Sequence, residues 1–150
     1  MTSESALLRH IYERSADLRG AGPIETGPGD DAAVLRFGGE RLLLTVDQLV
    51  EGRHYDPATP IDMIARKAVA RSVSDIAAMG GAPIAALATG ALRDDFAADN
   101  ELFDAMARWA RGWACPLIGG DIARVDGPTV LTVTVVGRAH PNRGPVLRSG

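Results

Sequence analysis

The chain has 150 residues, 46% of them apolar and 23% charged, with a formal net charge of -3. That is the size and balance of one globular domain with a sizeable core, and it excludes a disordered tail, a collagen-like chain and a disulfide scaffold. No basic excess is available for nucleic acid or an acidic membrane, and no run of about 18 apolar residues for a membrane-spanning helix.

The first residues mix Glu, Arg and His with apolar side chains, which is not the pattern of a secretory signal. Leu7, Leu8, Ile11 and Leu18 recur near helical spacing, so residues 4–18 are predicted as a helix capped by Ser3. A loop rich in Gly and Pro follows from 20 to 29. Residues 32–37 and 41–46 are predicted as two strands of a hairpin turning at Gly38-Gly39. A long helix is predicted over 61–79, opened by Pro60 and closed by Gly80-Gly81. The segment 83–92 is rich in Ala, and its place between two helices favours a strand. An amphipathic helix over 96–114 carries Leu102, Phe103, Met106, Trp109 and Trp113. A short strand over 116–118 ends in Gly119-Gly120. Residues 129–136 form the clearest strand, β-branched at nearly every position.

This order predicts an α+β domain with a mixed sheet of four or more strands and helices on one face. The strand 129–136 is largely apolar on both faces, so a partner chain or a second domain is expected to cover the other face. The lone Cys115 has no partner for an internal disulfide, and a cytoplasmic location is expected.

Several chemistries are absent from the sequence. There is no phosphate-binding G-x-x-x-x-G-K-[ST] loop, no G-x-S-x-G elbow and no Cys/His set at zinc spacing. Gly27-Pro28-Gly29 with Ala32 imitates a dinucleotide fingerprint, but it precedes a strand instead of opening a helix. What remains is aspartate. Thirteen of the nineteen acidic residues are Asp, and four of them stand at or near element ends: Asp31, Asp47, Asp75 and Asp121. Element ends gather along a sheet rim, so these carboxylates are expected to converge. Converging carboxylates repel unless a cation sits among them, and Mg²⁺ suits carboxylate oxygens and phosphates. The competing reading is turn chemistry, with Asp30-Asp31 shaping a loop, Asp47 ending a strand and Asp121 accepting backbone N–H groups. Asp75 resists that reading because it lies in line with apolar positions of its helix.

Gly29-Asp30-Asp31-Ala32-Ala33-Val34-Leu35 resembles a motif block of the thiamine-monophosphate kinase family. So do Thr45-Val46-Asp47-Gln48-Leu49-Val50-Glu51-Gly52-Arg53-His54-Tyr55 and the helix block Lys67 through Gly80. Gly119-Gly120-Asp121, Gly137-Arg138 and Arg148-Ser149-Gly150 follow in the same order. The wider superfamily also holds aminoimidazole ribonucleotide synthetase and selenophosphate synthetase. The resemblance implies transfer of the γ-phosphate of ATP to thiamine monophosphate, giving thiamine diphosphate, with several Mg²⁺ ions between the reactants. By matched position it makes Asp31, Asp47, Asp75 and Asp121 the metal ligands, assisted by Thr45 and the Val46 position. It places His54 on the thiamine phosphate, and Gly120, Asp121 and Arg148 on the nucleotide. It also implies that residues 1–150 are the N-terminal metal- and ATP-binding domain of a two-domain kinase. A C-terminal domain would follow them, and their sheet would pair with a second copy to form a barrel.

Three positions depart from the family habit: Val46 in place of a hydroxyl residue, Ser72 in place of Asn, and Ile122 in place of Thr. Two alternatives stand beside the leading reading. One is another ATP-dependent member of the superfamily with a different small acceptor. The other is a dimerisation or nucleotide-binding module without turnover.

Overall fold

The computed structural model describes residues 3–148; Ser149 and Gly150, the end of the last motif block, lie outside the described residues. Helix α1 spans Glu4–Arg14, and the Ser3 hydroxyl accepts the Ala6 N–H at its start. It stops at Arg14, and residues 16–18 form a separate 3₁₀ turn. None of its side chains is buried. The loop at 20–29 holds a strand that the Gly/Pro composition concealed, β1 at Ile24–Thr26. Strands β2, Ala33–Phe37, and β3, Glu40–Val50, form the expected hairpin, with Phe37 opposite Glu40. Helix α2, Ile61–Ala78, ends as the sequence predicts. Gly80 has φ of 67°, its N–H bonds the Ala77 carbonyl, and the Gly81 N–H bonds the Ile76 carbonyl. That paired pattern needs a left-handed residue after the helix, which Gly supplies without strain.

Strand β4 is Ala82–Arg93, helix α3 is Asp99–Gly112, and strand β6 is Val130–Arg138. Strand β5, Leu117–Val125, is three times longer than the apolar run at 116–118 suggests. Its Gly-Gly-Asp centre has little strand propensity of its own; pairing with β4 makes it a strand.

The six strands run in the order β1-β2-β3-β6-β4-β5. All neighbours are antiparallel except β4 and β5, which are parallel and joined through α3. This is the mixed α+β sheet the sequence predicts. Leu131, Val133 and Val135 of β6 are buried beneath the helices with Ile64, Val69 and Ile76 of α2. The alternate residues Val130, Thr132, Thr134 and Val136 are only half-buried. On the same uncovered face Val46 is 60% exposed and Leu87 46%. No helix among the described residues is long and apolar enough to cross a membrane.

Candidate metal and phosphate site

The site grows out of the alternation of β3. Leu43 and Leu49 are buried in the core, so Thr45 and Asp47, which share their parity, also look toward α2. Across that seam lies Asp75, one turn before the buried Met79. The Thr45 hydroxyl donates to Asp75 Oδ2 at 2.7 Å. Burial holds the Asp75 carboxyl above its usual range, and the charges of Asp47 and Asp31 push the same way. The Thr45 bond and the Arg71 guanidinium pull against them. Asp75 is therefore a carboxylate whose ionised form is disfavoured first by burial and then by its acidic neighbours.

Asp47 Oδ1 accepts from Arg71 Nη2 at 3.0 Å. Asp31 is ion-paired with Arg148. Its neighbour Asp30 does a different job. Asp30 Oδ1 accepts the Asp31 N–H at 2.9 Å, and Oδ2 accepts the Arg148 backbone N–H at 3.1 Å. Asp30 thus ties the loop to the C-terminal segment, which is the turn chemistry the sequence left open. Asp30, Asp31, Thr45 and Val46 line a cleft of about 400 Å³. Three carboxylates and a hydroxyl are hard oxygen donors of the kind Mg²⁺ takes. Among the described residues no three acidic, imidazole or thiol groups stand close enough to hold one ion as they are placed. The cluster's carboxylates are instead occupied by arginines and a hydroxyl.

Asp121 does not join the other three within the chain. It pairs with Thr89 of β4, and β6 lies between β4 and β3. Three ladder spacings separate its strand from that of Asp47, about 14 Å. Gly120 beside it has a structural reason to be glycine. A Cβ there would lie 1.7 Å from the Ala88 carbonyl oxygen, so β4 and β5 pack too closely for any side chain.

His54 sits on the turn that closes β3. Its Nδ1 accepts the Val50 N–H at 2.8 Å, so Nε2 carries the proton and is the remaining donor. Lys67 of α2 bonds the His54 carbonyl and anchors the turn to the helix.

Two elements of the site escaped the sequence reasoning. One is Arg71, four residues before Asp75; its i,i+4 spacing was visible, but the register of β3 against α2 was not. The other is Glu51, whose side chain is only 9% exposed. It pairs with Arg93 of β4 and accepts the Thr129 N–H at 3.1 Å. Tyr55 lies nearby, and burial, then the Glu51 charge, push its hydroxyl up to about 12. The 47–55 motif therefore divides. Asp47 pairs with Arg71 and His54 keeps its Nε2 donor, while Glu51 fastens the end of β3 to the sheet and Tyr55 packs against the core.

A six-stranded mixed sheet with two helices on one face, carrying acidic groups at the seam of sheet and helix, defines the class of domain. The chain belongs to the family of AIR synthase related proteins, N-terminal domain, whose model matches residues 29–139. It is 40% identical over 119 residues to the thiamine-monophosphate kinase of Synechococcus elongatus, covering 77% of this chain and 36% of that protein. It is 38% identical over 128 residues to that of Mycobacterium tuberculosis, covering 83% and 38%. Among solved structures it superposes on AaThiL complexed with AMPPCP and TMP with a TM-score of 0.77. That pair is 28% identical, over 91% of this chain and 42% of the other. The chain thus spans less than half the length of these relatives.

Proposed function

We propose that residues 1–150 are the N-terminal metal- and nucleotide-binding domain of a cytoplasmic, ATP- and Mg²⁺-dependent kinase that converts thiamine monophosphate to thiamine diphosphate. A second domain completes the enzyme, and the fragment alone does not turn over. The observation that carries this is the Asp75 carboxylate, half-buried and bonded by the Thr45 hydroxyl at the seam of β3 and α2, within charge reach of Asp47 and Asp31. The curated relatives named thiamine-monophosphate kinase support the choice of reaction.

Phosphoryl transfer asks the protein for in-line placement and charge neutralisation more than for a covalent nucleophile. Divalent cations held by Asp31, Asp47, Asp75 and the Thr45–Val46 segment would supply that neutralisation. The chain's own groups do the positioning. Thr45 fixes the Asp75 carboxylate across the seam. His54 offers its Nε2–H to the phosphate of the acceptor, held in that tautomer by Val50. Arg148 exchanges its Asp31 partner for nucleotide phosphate, where charge-assisted bonds are strong. Gly120 and Asp121, on the separate strand β5, are assigned to the nucleotide. The uncovered sheet face, with Val46 and Leu87 exposed, is assigned to pairing with a second copy.

Val46 favours one second reading. An exposed apolar side chain lines the cleft where the family resemblance expects a hydroxyl, which suits a different small acceptor. Ser72 lends that reading no support. It is fully buried, and its hydroxyl donates to the Val133 carbonyl at 2.7 Å, so it serves the sheet. Full-length protein incubated with ATP, Mg²⁺ and thiamine monophosphate should yield thiamine diphosphate and ADP in equal amounts. ADP release with another acceptor, but not with thiamine monophosphate, would replace the first reading by the second.

A further inference from the structure

Three carboxylates of the site are each held by a partner from the chain itself. Asp75 has Thr45, Asp31 has Arg148 and Asp47 has Arg71. The two arginines differ in kind. The Arg148 side chain is 65% exposed, and its segment lies near the end of the described residues. The Arg71 side chain is 35% exposed, against 26% for Asp47, and it springs from the middle of α2. Arg71 also lies one helical turn before Asp75, and its charge favours the ionised form of that carboxylate as well.

The Arg71–Asp47 pair is incomplete. Only Nη2 reaches Asp47, and Arg71 Nε is buried with no hydrogen-bond partner. A guanidinium has five donors and binds a carboxylate best through two of them at once. This one is in contact with the cluster but not locked to it.

We propose that Arg71 is a resident counter-cation that occupies Asp47 until a divalent cation displaces it, so that metal enters the site by exchange. This rests on the reading of Asp47 as a metal ligand. The guanidinium and the incoming cation need the same carboxylate oxygens, and each repels the other. The apparent affinity for metal is then the intrinsic affinity reduced by the fraction of molecules with Asp47 free. While Arg71 is in place it screens Asp47 from Asp75 and offsets part of the cluster's negative charge. Arg71 is a positioning residue in this scheme, acting through Asp47.

The test is Mn²⁺ binding to the full-length protein without nucleotide, read from the electron paramagnetic resonance of the free ion. Arg71→Gln should bind Mn²⁺ about two- to fivefold more tightly than the parent, the scale of a partly exposed ion pair. That gain should vanish when Asp47→Asn is also present. A role for Arg71 in helix stability alone would leave the affinity unchanged or weaker. Unchanged or weaker binding by Arg71→Gln, with Asp47→Asn alone still weakening Mn²⁺, overturns the exchange and leaves the metal site standing. Binding that ignores Asp47→Asn overturns both. If Arg71→Gln does not fold, Arg71→Met keeps the stem and the helix propensity and must show the same gain.

Discussion

Replacing Thr45 by Val removes one hydroxyl and little else. Thr45 is buried at 8% exposure, Val suits a strand as well as Thr does, and the added methyl occupies the place of Oγ1. The loss is the 2.7 Å bond to Asp75 Oδ2. Hydrogen bonds to charged groups contribute about 1.5–3 kcal/mol. Asp75 is only partly buried and water can replace the hydroxyl in part, so the lower end applies, about 1.5 kcal/mol. For a chain of this size that lowers Tm by roughly 3–6 °C at neutral pH. The pH dependence has a definite sign. The Thr45 bond favours the ionised carboxylate and so holds down an Asp75 proton affinity that burial raises. Without it the folded state binds that proton still more tightly, and stability is lost as pH rises through the Asp75 titration. The destabilisation should therefore be full near pH 7 and should shrink as pH falls through the carboxylate range toward about pH 4. Urea unfolding of parent and variant at both pH values measures it. An unchanged midpoint near pH 7, or a loss of equal size at both, would refute the coupling of Thr45 to the Asp75 charge.

Gly120→Ala should cost more than 3 kcal/mol or prevent folding, because a Cβ 1.7 Å from the Ala88 carbonyl forces β5 off β4; normal thermal unfolding would contradict that close approach. Ser72→Ala should lose about 1 kcal/mol in urea unfolding, from the bond to Val133, with no change in acceptor preference. Glu51→Ala leaves Arg93 and the Thr129 N–H without their carboxylate and should cost about 2 kcal/mol. Faster amide exchange near Thr129 would report the loosened end of the sheet; unchanged exchange there would argue against the tie.

The elements legible in the sequence were those whose signals are local. Pro60 and Gly80-Gly81 bracket α2, and the paired bonds to Ile76 and Ala77 are the ones that glycine pattern encodes. The β-branched run of β6 fixes its two faces, one buried and one half-buried. β1 and β5 were hidden for the opposite reason. Pro23 and Gly27 flank a three-residue strand, and Gly119-Gly120-Asp121 becomes a strand through pairing with β4. The site follows the same division. Asp31, Asp47 and Asp75 come together because β2, β3 and α2 are neighbours. Asp121 stands apart because β6 inserts between β3 and β4, and strand order has no local signal. Arg71 was visible as a helix neighbour of Asp75, but its partner Asp47 depends on how β3 crosses beneath α2.

Asp75 is the residue on which the proposed metal site most directly depends. Its raised proton affinity means that the ionised group costs the fold stability near pH 7, so Asp75→Asn should unfold at the same or a higher urea concentration. Binding of a non-hydrolysable ATP analogue to full-length protein, titrated with and without Mg²⁺, then isolates the role of the carboxylate. Mg²⁺ should tighten binding by about tenfold or more in the parent, and Asp75→Asn should lose that gain while remaining fully folded. A folded Asp75→Asn protein that keeps the whole Mg²⁺-dependent gain would contradict that role.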